Sequence, residues 1–301
     1  MKTILKNSIA LAAAALTFAT ATSHAQTAYA LGDNGTALIK FDLATPAITT
    51  LVGPITGVGG RLDGIDFRPS NGLLYGYSFQ TNGVFTINLN TAAATLAATP
   101  GTASTVGNLG IDFNPAADRL RLVNPLDQNL RINVGNGVTI PDGTLAFVAG
   151  DPNFGTSPSV NEVAYTNNDS DPATATQLFY IDPNLDILVN TINPNAGELR
   201  TVGALGFNAS ELTGFDIFTS LTGTNSAYAL LTNPGGGASL HSINLATGAA
   251  TAIGNIVPPA GIARPFSLAI QPVPEPGTAL FGLAIVGTSF VRNRRRTAAR
   301  A

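Results

Sequence analysis

Asp63-Gly64-Ile65-Asp66-Phe67-Arg68-Pro69 returns 46 residues later as Leu109-Gly110-Ile111-Asp112-Phe113-Asn114-Pro115. Weaker copies follow at Glu162-Val163-Ala164-Tyr165, Gly214-Phe215-Asp216-Ile217 and Ser267-Leu268-Ala269-Ile270, at steps of 52, 52 and 53 residues. A short apolar run that recurs about every 50 residues between turn residues marks a repeated β unit, most often a propeller blade.

Hairpin patterns alternate with these copies. Ala28–Leu31 and Ala37–Leu43 flank Gly32-Asp33-Asn34-Gly35, where Asn-Gly suits the positive φ of a tight hairpin turn. The pattern repeats at Leu73–Tyr77 with Val84–Leu89, Arg119–Val123 with Asn129–Val134, Thr176–Asp182 with Asp186–Thr191, and Ala227–Thr232 with Ser239–Leu245. The first hairpin precedes the first copy of the organising stretch, and no hairpin follows the last copy. Ser267–Ile270 is therefore expected to pair with the first hairpin and complete its blade, which removes a free sheet edge. The predicted fold is all-β: a five-bladed β-propeller over residues 26–271, closed by its C-terminal strand. A flat sandwich would leave the period unexplained.

The flanks read differently. Lys2 and Lys6, the apolar run Ile9–Ala21 and Ser23-His24-Ala25 form a signal-peptide pattern over residues 1–25, with signal peptidase as the implied partner. Residues 272–301 hold Val273-Pro274-Glu275-Pro276, the apolar run Thr278–Val291 and an Arg-rich end, Arg292-Asn293-Arg294-Arg295-Arg296. As a helix, such a 14-residue run would rise roughly 21 Å, short of a ~30 Å hydrocarbon core, so it would make a poor permanent anchor. The Arg cluster favours a cytoplasmic end and leaves the preceding domain outside.

Without these flanks, residues 26–276 keep 8 basic residues against all 18 acidic ones, a formal charge of −10. That balance excludes a nucleic-acid binder, which needs a basic face. With no Cys there is no disulfide and no thiolate nucleophile. Outside the signal pattern the one His is His241, too little for a histidine metal cluster and unpromising for a Ser–His–acid triad.

Two resemblances follow from these residues. Gly110–Pro115, Asp118–Val123, Gln128–Asn133, Ala164–Asn167, Leu178–Asp182, Leu185–Leu188 and Thr201–Gly206 together resemble the bacterial family of domain of unknown function 4394. The resemblance spans roughly residues 29–270 and implies an exported, propeller-like domain without assigned chemistry. The tail resembles the PEP-CTERM sorting signal of Gram-negative envelope proteins. It implies transient tethering to the inner membrane, processing by an exosortase near Val273, Pro274, Glu275 and Pro276, and delivery to the outer envelope or extracellular matrix.

Asp66, Asp112 and Asp216 hold one position in three copies of the organising stretch, where the others have Ala164 and Ala269. If that strand lines a central channel, the three carboxylates could converge. They would then suit Ca²⁺, the one cofactor the sequence suggests, or carboxylate catalysis on a glycan. The preferred reading is that each satisfies amides of a neighbouring blade. Arg119, Arg121 and Arg131 could grip an anionic ligand, or pair structurally with Asp112, Asp118 and Asp127. The expected function is a non-enzymatic envelope or matrix protein that binds exopolysaccharide or an envelope protein. A carboxylate-based hydrolase or lyase acting on extracellular polysaccharide is the alternative, disfavoured by the lack of Trp for sugar stacking.

Overall fold

In the computed structural model, which describes residues 26–272 apart from 170, 172, 211, 212, 234 and 236, twenty-one strands run in chain order. Thr27–Gly32 (β1), Ala37–Asp42 (β2) and Thr49–Pro54 (β3) open the fold. Gly64–Phe67 (β4), Leu74–Ser78 (β5), Gly83–Ile87 (β6) and Ala94–Ala98 (β7) follow, then Gly110–Asn114 (β8), Arg119–Val123 (β9), Asn129–Ile132 (β10) and Thr139–Pro141 (β11). Next come Ala146–Phe147 (β12), Glu162–Tyr165 (β13), Leu178–Asp182 (β14), Ile187–Asn193 (β15) and Glu198–Ala204 (β16). Gly214–Thr219 (β17), Asn225–Thr232 (β18), Ala238–Ile243 (β19), Ala250–Asn255 (β20) and Phe266–Ile270 (β21) complete the order.

These strands form five sheets, β4-β5-β6-β7, β8-β9-β10-β11, β13-β14-β15-β16-β12, β17-β18-β19-β20 and β21-β1-β2-β3. Each sheet begins with one copy of the organising stretch. The inner strands neighbour one another around a ring, β4 to β8 to β13 to β17 to β21 and back to β4. The protein is a five-bladed β-propeller. Closure is antiparallel, with Ala28 opposite Ile270, Tyr29 opposite Ala269 and Ala30 opposite Leu268. The last blade thus takes its inner strand from one end of the domain and its other three from the opposite end.

Burial explains which strands the sequence displays. β4 and β13 are buried at every residue, because an inner strand packs between two neighbouring blades. Five apolar clusters fill the five blade interfaces; Leu74, Phe85 and Ile87 pack with Leu31 and Leu38 in one, and Leu230 and Leu240 with Ile39 and Phe41 in another. The outermost strands face solvent: β7 exposes three consecutive residues and β20 is nowhere buried. Their weak apolar pattern is why the hairpin analysis finds three strands per blade and the structure has four, or five where β12 adds in parallel to β16.

A polar repeat marks the missing strands. Asn88, Asn133 and Asn244 begin the turns from third to fourth strand, and each Oδ1 accepts the amide two residues on. The turns end in left-handed residues, Ala92, Gly137 and Gly248. This spacing, Asn followed four residues on by Gly in two turns and by Ala in the third, is an Asx-turn device legible in the sequence. Residues 1–25 and the tail from Val273, including the sorting motif and its apolar run, lie outside the described residues. Among the described residues, no helix is long and apolar enough to cross a membrane.

Candidate functional site

The structure brings Asp66, Asp112 and Asp216 together on the propeller axis, with one carboxylate oxygen of each within 4.8 Å of the others. Side-chain direction follows from strand alternation: each Asp occupies the same position of an inner strand, so all three turn to the same side of their blades. Asp66 Oδ2 accepts the Phe113 amide at 2.7 Å, and its Oδ1 accepts the amide of Phe67. Asp112 Oδ1 accepts the Tyr165 amide at 3.1 Å, and Asp216 Oδ2 accepts the Ile270 amide at 2.6 Å. Each carboxylate therefore bridges to the next blade.

The two blades without this Asp make the bridge from two residues earlier. Glu162 stands two before Ala164 and reaches the Phe215 amide and the Thr213 side chain. Ser267 stands two before Ala269, and its Oγ accepts the Ile65 amide at 3.1 Å. Side chains two apart on a strand share a face, so Glu162 and Ser267 can do what Asp does elsewhere. In the three Asp blades the same earlier position is Gly64, Gly110 or Gly214. At Gly110 a Cβ would fall 2.6 Å from Glu162 Cα, so the neighbouring strand needs the glycine there. The motif is thus either Gly-X-Asp or polar-X-Ala, a swap visible once the five copies are aligned. Ser267 adopts φ 51° at a β-bulge against Ala30 and Leu31. That is a strained conformation for a non-glycine, held at a bridging position.

These groups are buried and acidic. Burial holds Asp66 and Asp112 well above the ordinary carboxylate range, and the charges of the neighbouring aspartates add to it. Burial raises Asp216 to about 7 and pushes Glu162 well up. The amides they accept pull in the opposite direction without cancelling the burial.

A cavity of about 160 Å³ opens at the end of the axis where the chain enters the inner strands. Every such connection supplies lining: Asp63 before β4, Asn108 and Leu109 before β8, Glu162 at the start of β13, Thr213 before β17, and Phe266 at the start of β21. Arg61 and Asn34 complete its rim. Asp63 Oδ1 accepts from Arg61 Nε at 2.8 Å and its Oδ2 accepts the Phe79 amide at 2.8 Å. Burial still raises its pKa. Arg61 keeps 42% of its side chain exposed.

Residues 37–264 match the family described as "Domain of unknown function (DUF4394)". The chain belongs to this family. No curated protein matches it. Among solved structures, a nidogen/laminin complex is similar at 11% identity and a TM-score of 0.48, over 81% of this chain and 98% of that one. A structural-genomics protein of unknown function from Bacteroides thetaiotaomicron gives 14% identity and a TM-score of 0.48, over 83% and 66%. An auxiliary nutrient binding protein from the same organism gives 14% and 0.40, over 67% and 55%.

In this DUF4394 domain the arginines divide. Arg121 is 1% exposed and lies opposite Arg131 in the β9–β10 register. Its guanidinium donates to Asn129 Oδ1, Asp142 Oδ2, Asn195 Oδ1 and the Tyr165 hydroxyl. Arg131 makes a two-pronged contact with the same Asp142, at 2.7 and 2.9 Å. Arg119 donates to the carbonyls of Ala117 and Asp118. The acidic partner of Arg121 and Arg131 is therefore Asp142, not Asp112, Asp118 or Asp127, while the charge of Arg119 does act on Asp118. Asp142 directly follows β11, where its amide donates to the Asn129 carbonyl, so the outer strand that the hairpin pattern leaves out is what carries it to Arg121 and Arg131. Asp118 instead pairs with Arg68, whose terminal nitrogen lies 2.5 Å away. His241 Nε2 meets Ser239 Oγ at 2.8 Å, but the buried Nδ1 that a triad carboxylate would hold has no partner.

Proposed function

We propose that this domain is a non-enzymatic binding propeller of the cell envelope, and that its axial mouth holds a small, hydroxyl-rich ligand such as a sugar unit of an extracellular polysaccharide. The observation that carries the reading is the composition of the mouth. Amides, a hydroxyl, carboxyls whose pKa burial raises and an incompletely used guanidinium converge from all five blades on about 160 Å³. Amide side chains both donate and accept, which matches sugar hydroxyls. Phe266 adds an apolar wall, and the remaining Arg61 donors favour an acidic unit. Asp63 has both oxygens engaged and Glu162 is tied to Phe215, so neither is poised as a nucleophile or base.

Titration of the purified protein with fragments of the producer's exopolysaccharide is expected to show saturable binding without release of new reducing ends. Asn108→Ala and Arg61→Ala should each weaken it. The hydrolase or lyase reading draws support from the two carboxylates, Asp63 and Glu162, that line one cavity. Turnover that Glu162→Gln abolishes would establish it instead.

The same reading places the domain outside the inner membrane, exported by residues 1–25 and released by an exosortase near Val273–Pro276. Intact-mass analysis of surface material should show loss of both ends. Recovery of only the full-length chain in the inner membrane would overturn this part.

A further inference from the structure

The mouth-binding reading makes no use of the three carboxylates behind it. Asp66, Asp112 and Asp216 lie two residues further along the inner strands than Glu162, which lines the mouth. Each commits one oxygen to an amide of the next blade, Asp66 also accepts the Phe67 amide on its other oxygen, and one oxygen of each lies within 4.8 Å of the other two. Among the described residues no Lys, Arg or His contributes to the electrostatics of any of them; they feel one another and backbone amides. Three carboxylates at this distance in a buried site cannot all ionise without a counter-charge.

A second observation points to what supplies it. Asp216 Oδ1 is buried and has no hydrogen-bond partner, although the Ile217 amide also acts on that carboxylate. The other oxygen of that carboxylate is held by Ile270, so the orphan is the one left for a ligand. The separations fit a hard cation. Two oxygens on one calcium ion at about 2.4 Å are no more than about 4.8 Å apart, the bound all three pairs meet. An all-oxygen donor set without His or Cys suits Ca²⁺ rather than a softer metal.

We propose that Asp66, Asp112 and Asp216 form a divalent-cation site of the calcium class on the propeller axis, which joins three blades through one ion. Each carboxyl that ligates releases its proton to solvent, and water from the mouth fills the remaining coordination positions. Without the ion, protons take its place, consistent with the raised pKa of all three groups.

Calorimetric titration of the purified full chain with calcium alone at pH 7.5 tests this without any sugar, so its failure is separable from failure of the mouth-binding reading. One saturable site per chain is expected. Repeating the titration in two buffers of different ionisation enthalpy should reveal proton release on binding. Asp216→Asn and Asp112→Asn should each weaken calcium binding at least tenfold, while Asp118→Asn, on the surface, should leave it unchanged. A folded wild-type chain with no saturable binding of calcium or magnesium up to millimolar concentration overturns the proposal. So does binding that Asp216→Asn and Asp112→Asn both leave intact. If a variant fails to fold, the wild-type titration and its proton count decide alone.

Discussion

Asp112 and Arg121 stand directly opposite each other in the β8–β9 register, both 1–2% exposed, yet they belong to two different kinds of buried charge. Arg121 sits in a balanced cluster, where Asp142 and several neutral acceptors satisfy its donors and Arg131 shares the carboxylate. Asp112 sits in an unbalanced one, where the charges that act on it are those of other carboxylates. A balanced cluster can be completed by the chain itself, so it acts as a fixed joint between blades. An unbalanced one must draw protons or a cation from solvent, so its state depends on the medium. The difference separates a structural charge from one that senses its surroundings, although both are equally buried.

The largest expected effect sets the two apart by pH. The aspartates bind protons more tightly when folded, so stability is greatest below the ordinary carboxylate pKa of about 4 and falls as pH rises through about 7, the value for Asp216. The slope is on the order of 1 kcal/mol per pH unit for each proton retained. Urea unfolding from pH 4 to 8 in chelator should show this decline, and saturating calcium should flatten it. Asp216→Asn should also flatten it. A pH-independent midpoint would dissolve the contrast.

Arg121→Ala comes next, at about 3–5 kcal/mol, because it empties a fully buried site and leaves the acceptors of Asn129, Asn195 and Tyr165 without their donor, while Asp142 keeps Arg131. This loss should be the same with calcium or chelator. A calcium-sensitive loss would mean that the two clusters are one.

Gly110→Ala should cost about 1–3 kcal/mol, since its Cβ would meet backbone atoms of Asn161 and Glu162 that cannot turn aside. By spreading β8 from β13 it should also let the aspartates hydrate, so the pH slope should shrink with stability. An unchanged slope would show that the ring tolerates the strain elsewhere.

The smallest effect sharpens the comparison at a neutral member of the ring. Ser267→Ala removes the acceptor for the Ile65 amide and should cost about 1 kcal/mol, with no pH dependence, as measured by thermal melting. Ser267→Gly should cost less, because glycine accepts the φ of 51° without strain.

The Asp63–Pro69 stretch and its copies revealed the inner strands because those strands are buried on both faces and must repeat an apolar pattern. The position of Ser267–Ile270 after the last hairpin announced the closure for the same reason. The fourth strands stayed hidden, because solvent places little demand on their side chains. Asn88, Asn133 and Asn244 mark their turns in polar residues instead.

The site was legible only in part. The recurrence of Asp66, Asp112 and Asp216 follows from the repeat, and so does their alignment on one side of the blades. Their approach to within 4.8 Å depends on how many blades close the ring and how tightly the glycines let inner strands pack. The partnership of Arg121 with Asp142 depends on the fourth strand, β11, pairing back onto β10. The mouth is built from residues at five connections far apart in sequence. Sequence alone therefore determined the repeated unit, because burial acts on each copy separately. Only the tertiary structure decided which charges meet, because that is set by closure of the ring and not by any one blade.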